Sequence, residues 1–339
     1  MGLISPLKIN ISQAVMASFS NLLMNQSSFV ACSKNGFRKS ILHVLHKRQG
    51  QASGIIGVTS NPKIFERSIL SSKAYDEQFR YSHLSLSQYI DVWKQRVAES
   101  FVVQICFVCF DLNSMDRDLT KEGKDVECAY WELVTKDIRD TSVILKPIYK
   151  ETTGLDGYVS VQVSPWLADN TKKIVKAAKW LHKKLGRPNV YTKIPATAES
   201  IPAIKQVISQ GISVNATLIF CISTYEKVIE AYLNGLESSG LSDLSAISSA
   251  AAFYISRVDA AARAQAAIAY KIFREKFSGP RWEALAKRGA KKQRLMWAST
   301  NVKNPAYPDT CYVDLLIGPE TISTIPEEAL AAFMDHGIV

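Results

Sequence analysis

The first 65 residues contain no aspartate or glutamate; the first acidic side chain is Glu66. They do carry Lys8, Lys34, Arg38, Lys39, Lys47, Arg48 and Lys63, seven of the ten surplus positive charges of the 339-residue chain. The remainder holds 34 basic and 31 acidic residues and is close to neutral. The pI of 9.2 therefore belongs to the leader, and a nucleic-acid surface is not expected from charge. No run of about 18 apolar residues occurs, so no membrane-spanning helix is expected. The most apolar stretch, FVVQICFVCF at 101–110, is too short to span a bilayer. The five histidines form no H-x-x-x-H pair, and no glycine-rich phosphate loop is present. Cys106 and Cys109 have C-x-x-C spacing but sit in that apolar run, with no second pair at zinc-finger spacing. With Cys32, Cys128, Cys221 and Cys311 they read as apolar residues of a reducing compartment. Neither a metal nor another cofactor is expected.

An acid-free, serine-rich, basic leader fits an organelle transit peptide, and an ordinary disordered N-terminus equally well. Residues 1–40 are accordingly expected to be a disordered leader, and 41–339 the folded domain, placed in plastid or cytoplasm. Gly2 opens no myristoylation signal, because Pro6 stands where Ser or Thr is wanted.

Hydrophobic residues make up 47% of the chain, ample for one large core. From residue 54 onward short β-type runs alternate with helical patterns. The strand candidates are 54–61, 157–164, 189–195, 212–220, 251–258, 294–300 and 311–318. Between two of them, NTKKIVKAAKWLHKKL (170–185) puts Ile174, Ala177, Ala178 and Leu181 on one helical face. TYEKVIEAYLNGL repeats the pattern through Val228, Ala231 and Tyr232. Ser200-Ile201-Pro202 places proline in a first helical turn, and Ser223 or Thr224 is expected to cap the next helix. Alternating strands and helices imply a parallel sheet with right-handed crossovers. The expected fold is α/β, a (β/α)8 TIM barrel. With seven strand candidates the barrel is expected to be incomplete.

In such a barrel the site lies at the C-terminal ends of the strands. Those ends read Thr59-Ser60-Asn61, Gln162, Lys193, Asn215 to Thr217, Ser256-Arg257 and Ser299-Thr300. The segment NVYTKIPAT (189–197) is the most telling. Alternation puts Val190, Thr192 and Ile194 on one side, and Tyr191, Lys193 and Pro195 on the other. If both faces of the sheet are covered, Lys193 points into protein. Burial disfavours the charged form of a lysine, and a free amine attacks carbonyls to form a Schiff base. The plainer reading is a strand-end lysine whose stem packs while its head reaches water. For Ser256, Ser299 and Thr300 it is turn or cap hydrogen bonding.

Seven ordered segments, GVTSNPKIF (57–65), DGYVSVQVSP (156–165), NVYTKIPAT (189–197), GISVNATLIF (211–220), ISRVD (255–259), RLMWASTNVKNPAYPD (294–309) and DHG (335–337), resemble transaldolase, most closely its longer bacterial and plant form. The resemblance runs from about residue 41 to the end, apart from an insertion at about 81–118. It implies a pentose-phosphate transferase that needs no metal. Lys193 would form a Schiff base with sedoheptulose 7-phosphate or fructose 6-phosphate. A dihydroxyacetone unit would then pass to glyceraldehyde 3-phosphate or erythrose 4-phosphate. Asn61, Asn215 and Thr217 match positions that hold substrate hydroxyls, the catalytic water and the lysine's surroundings, with Thr59 on the same strand end as Asn61. Arg257 matches a phosphate-binding arginine, and Ser256, Ser299 and Lys303 fall where further substrate contacts are expected.

The departures from the family pattern bear on activity. The family's first-strand aspartate has no counterpart before GVTSNP, and the strand and following helix are expected to be missing with it. A family glutamate is Gln162 here; an amide orients water but exchanges no proton. Ala252 stands where relatives tend to have a serine, and the helical stretch after Asp259 is short. The resemblance therefore implies either a transaldolase of impaired activity or a catalytically dead barrel that binds sugar phosphates or a protein partner.

Overall fold

The computed structural model describes residues 28–32, 55–59, 126–256 and 261–338. The 81–118 insertion, Cys106 and Cys109, and the site candidates Asn61 and Arg257 lie outside the described residues.

Eight parallel strands close a barrel in chain order: β1 (Ser28–Cys32), β2 (Ile55–Thr59), β3 (Val159–Gln162), β4 (Val190–Pro195), β5 (Val214–Ile219), β6 (Ser249–Tyr254), β7 (Arg294–Ala298) and β8 (Thr321–Pro326). Six of the seven sequence candidates are strands, at β2 to β7. Two expectations are corrected. The barrel is complete, because the leader supplies β1: SFVAC pairs in parallel with β2 on one side and β8 on the other. Its β-branched and aromatic residues suit a strand, and the 33–54 connection has the length a parallel crossover needs. The leader is thus not wholly unstructured.

The second correction concerns residues 311–318. CYVD forms a short helix, and the last strand is TISTIP, ten residues later. A continuous apolar run does not separate strand from buried helix by periodicity. Here Thr310 Oγ1 donates to Asp314 Oδ2 at 2.6 Å across one helical turn.

The helices that cover the sheet are α1 (Val126–Glu151), α2 (Thr171–Leu185), α3 (Ser200–Ser209), α4 (Ile222–Glu237), α5 (Ala262–Lys276), α6 (Gly279–Ala286), α7 (Cys311–Asp314) and α8 (Glu327–His336). The periodicity of α2 is realised: Ile174, Ala177, Ala178 and Leu181 are all buried. Asn170 Oδ1 accepts from Lys173 N at 3.0 Å, and Gly186 ends the helix at φ 58°. α3 starts at Ser200, with Pro202 in its first turn and the Thr197 hydroxyl accepting from Ser200 N at 3.2 Å. The cap expected at Ser223 or Thr224 is displaced. Cys221 occupies the N-cap of α4, and both hydroxyls lie inside the first turn, 3.4 and 3.2 Å from its sulfur. α3 and α4 approach closely at Gly235, where a β-carbon would stand 2.8 Å from Ile208 Cβ.

Strand alternation sorts the core into two layers. Val159, Val190, Ile194, Val214, Ala251, Phe253, Leu295 and Trp297 face the helices. Tyr158, Tyr191, Ala250, Ala252, Met296, Ala298 and Ile322 fill the barrel. Its floor is an aromatic plug: the Tyr158 and Tyr191 rings stack at 4.1 Å, and Tyr191 OH lies 2.7 Å from Ser248 Oγ. Burial pushes both phenols upward, so they stay neutral. Below them Arg294 Nη1 donates to Asp156 Oδ1 at 2.6 Å. Among the described residues no helix is long and apolar enough to cross a membrane.

Candidate active site

Lys193 points into the barrel. It is 7% exposed, and Nζ donates to Thr59 Oγ1 at 3.4 Å, reaching past β3 to β2. The snorkelling alternative is thereby set aside. Inward direction follows from strand parity: Val190 and Ile194 pack against helices, while Tyr191 lies in the barrel interior on the side Lys193 shares. No carboxylate forms an ion pair with Lys193 among the described residues.

The neighbouring strands set the surroundings by register. Gln162 of β3 and Asn215 of β5 stand beside Lys193, and Thr217 stands beside Pro195. Asn215 is fully buried; its Nδ2 donates to Ser160 Oγ at 3.1 Å and faces Met296 Sδ at 3.7 Å. One layer higher, Thr217 Oγ1 lies 3.3 Å from Tyr254 OH. The Tyr254 ring packs on Phe220 at 5.0 Å, beyond a break in β5 where Leu218 takes φ 61°.

Ser256 and Ser299 meet across β6 and β7, their hydroxyl oxygens 2.9 Å apart, and Ser256 N donates to Ser299 O at 3.3 Å. The pair thus lies at the rim, linked side chain to side chain rather than as helix caps. Thr300 follows the plainer reading: its hydroxyl donates to Thr324 O at 2.7 Å. Lys303 is exposed in the loop after β7.

Of the sequence candidates, Thr59, Gln162, Lys193, Asn215 and Thr217 come together on adjacent strands, and Ser256 with Ser299 forms a second group. Sequence reading missed Ser160, Met296 and Tyr254. Each shares inward parity with a chosen or barrel-filling residue, so period-2 alternation carried the signal. The closing strand β1 brings no acid, because residues 1–65 contain none. Cys32 holds the position in register with Thr59. Among the described residues no three His, Cys, Asp or Glu side chains cluster as metal ligands.

Fold and site together define a barrel enzyme whose polar side chains converge at the C-terminal ends of the strands. The family model described as transaldolase/fructose-6-phosphate aldolase matches residues 39–339. A transaldolase of Parafrankia sp. (strain EAN1pec) is 39% identical over 307 residues, covering 84% of this chain and 73% of the relative. Transaldolase 1 of Streptomyces avermitilis is 40% identical over 306 residues, covering 84% and 71%. The chain belongs to the transaldolase/fructose-6-phosphate aldolase family, and is a transaldolase-type transferase. The family match begins after β1, so the closing strand lies upstream of the recognisable region.

Proposed function

We propose that this chain is a pentose-phosphate transaldolase working through a Schiff base on Lys193, with low turnover. The observation that carries the reading is the buried, inward Lys193 amine, 3.4 Å from Thr59 Oγ1, with Gln162 and Asn215 in register on the two adjacent strands.

The deprotonated amine adds to C2 of a ketose phosphate, sedoheptulose 7-phosphate or fructose 6-phosphate, and loss of water gives a protonated imine. A base takes the C4 hydroxyl proton, the C3–C4 bond breaks, and its electron pair moves into the imine. An aldose phosphate leaves, and a three-carbon enamine stays on Lys193. The enamine attacks the aldehyde carbon of the acceptor, glyceraldehyde 3-phosphate or erythrose 4-phosphate. The new alkoxide takes a proton, and water hydrolyses the imine. Thr59, Asn215 and Thr217 offer hydrogen bonds to the sugar hydroxyls, with Asn61 expected beside them. Ser256, Arg257, Ser299 and Lys303 are assigned to the phosphate end, where a guanidinium fork suits phosphate oxygens.

Proton transfer is the weak step. Of the two family carboxylates, one is replaced by the amide of Gln162 and the other has no counterpart, and the closing strand β1 carries no acid. General acid–base groups contribute about 10²–10⁴-fold each. That deficit also favours the second reading, a non-catalytic barrel that retains sugar-phosphate binding. The ionisable hydroxyl at this level among the described residues is Tyr254, bonded to Thr217.

The test is transfer between fructose 6-phosphate and erythrose 4-phosphate, read as glyceraldehyde 3-phosphate release. Slow release by the natural chain is expected, abolished by Lys193→Met and raised at least about tenfold by Gln162→Glu. Activity surviving Lys193→Met would overturn the mechanism. A folded chain with no release, before or after Gln162→Glu, would favour the binding-only reading.

A further inference from the structure

The amide of Asn215 is buried between β3, β5 and β7, and its neighbours fix which way it faces. Nδ2 lies 3.1 Å from Ser160 Oγ and 3.7 Å from Met296 Sδ. A thioether sulfur accepts weakly and never donates. The amide atom turned to Met296 is therefore the nitrogen; a flipped amide would set two acceptors against each other. Oδ1 is left on the other side, buried and without a hydrogen-bond partner among the described residues. Native proteins seldom leave a buried acceptor unpaired. Asn215 also stands in register with Lys193 on the adjacent strand, on the same inward face.

We infer that Met296 and Ser160 are positioning residues that lock the Asn215 amide so that Oδ1 offers an acceptor to a hydroxyl of the sugar bound at Lys193. Met296 supplies the direction, since Ser160 Oγ accepts or donates and would tolerate either orientation. Leucine at 296 fills a similar volume but offers no acceptor. Once the lock is gone, the amide turns freely and presents its NH2 to the sugar part of the time. The inference rests on the sugar-phosphate reading above.

The test uses the full-length chain and a hexitol 6-phosphate, which lacks the carbonyl and forms no imine. Calorimetric affinity is compared between the natural chain and Met296→Leu. A loss of about twofold is expected, because free rotation leaves the acceptor facing the sugar about half of the time, with the thermal unfolding midpoint unchanged. In an Asn215→Asp background both outer atoms are oxygens, so Met296→Leu should cost no affinity there. Equal affinity of the natural chain and Met296→Leu overturns the lock. So does the same loss in both backgrounds, or failure of the folded natural chain to bind the hexitol phosphate. Should Asn215→Asp fail to fold, proton exchange at the 15N-labelled Asn215 amide decides: faster exchange in Met296→Leu supports the lock, and unchanged exchange overturns it. Hexitol phosphate binding without any borohydride adduct on Lys193 would defeat the Schiff-base reading and leave the lock standing.

Discussion

Lys193, Thr59 and Asn215 come from three different strands, and the hydrogen bond of the lysine to Thr59, 3.4 Å, is at the long limit of such a bond. Thr59→Val should therefore slow adduct formation by less than about tenfold, in keeping with a weak neutral hydrogen bond. Borohydride trapping time courses measure this; a loss beyond about a hundredfold would mean that the hydroxyl takes part in the chemistry itself. Lys193 was legible because a lysine with inward parity inside a covered parallel strand has few places to go. Ser160, Met296 and Tyr254 were not picked out. Polarity at strand ends marks a rim, whereas Ser160 sits a layer lower, Met296 is apolar, and Tyr254 resembles core until its hydroxyl partner is known.

Helix α2 joins strong periodicity to a side-chain cap, so its sequence and structure agree throughout. Asn170→Ala should cost about 1 kcal/mol, read from urea unfolding, with site geometry unaffected. Between α4, α5 and α6, Arg281 donates to Glu237 at 2.7 Å and to Glu230 at 2.8 Å, and Lys276 donates to Glu230 at 2.8 Å. Hydrogen bonding to Arg281 holds Glu237 below the usual carboxylate range. For Glu230 burial pushes upward, but the bonds from Arg281 and Lys276 outweigh it and the net direction is also down. A depressed folded-state value stabilises above the unfolded carboxyl pKa and loses that contribution as pH falls through the folded value. The stability gap between the natural chain and Arg281→Met should thus be small, widest near neutrality, and should narrow as pH falls below the ordinary glutamate range. It should shrink in high salt, because these side chains are partly exposed. A gap that grows on acidification would contradict the assignment. The misread element, 311–318, shows the limit of local pattern. CYVDLLIG is apolar enough for a strand, and only its neighbours decide that it folds as a helical turn before β8.

Closure is the property that no local segment displayed. The sequence offered seven strand candidates from residue 54 onward, and the eighth lay in a stretch read as leader because of its missing acids. Composition describes the solvent a segment suits; it does not say whether two sheet edges are waiting for it. With β1 in place, both edges of an otherwise open sheet are paired. Any removable leader must accordingly end before Ser28 if the barrel is to stay closed. Val30 pairs with Gly57 on one side and Thr324 on the other. Val30→Pro removes a ladder N–H from a strand flanked on both sides. That substitution, or deletion of residues 1–32, should lower the unfolding midpoint and promote association, as light scattering and circular dichroism would show. A deletion variant that melts like the full chain would contradict closure by β1.

The account turns on whether the enclosed amine of Lys193 reacts with a sugar. Incubation with fructose 6-phosphate, borohydride reduction and peptide mass mapping read this directly. A reduced three-carbon or hexose adduct on the peptide containing Lys193, absent from Lys193→Met, is the predicted result. Folded protein whose Lys193 peptide keeps its unmodified mass, or an adduct on any other lysine, would contradict the mechanism.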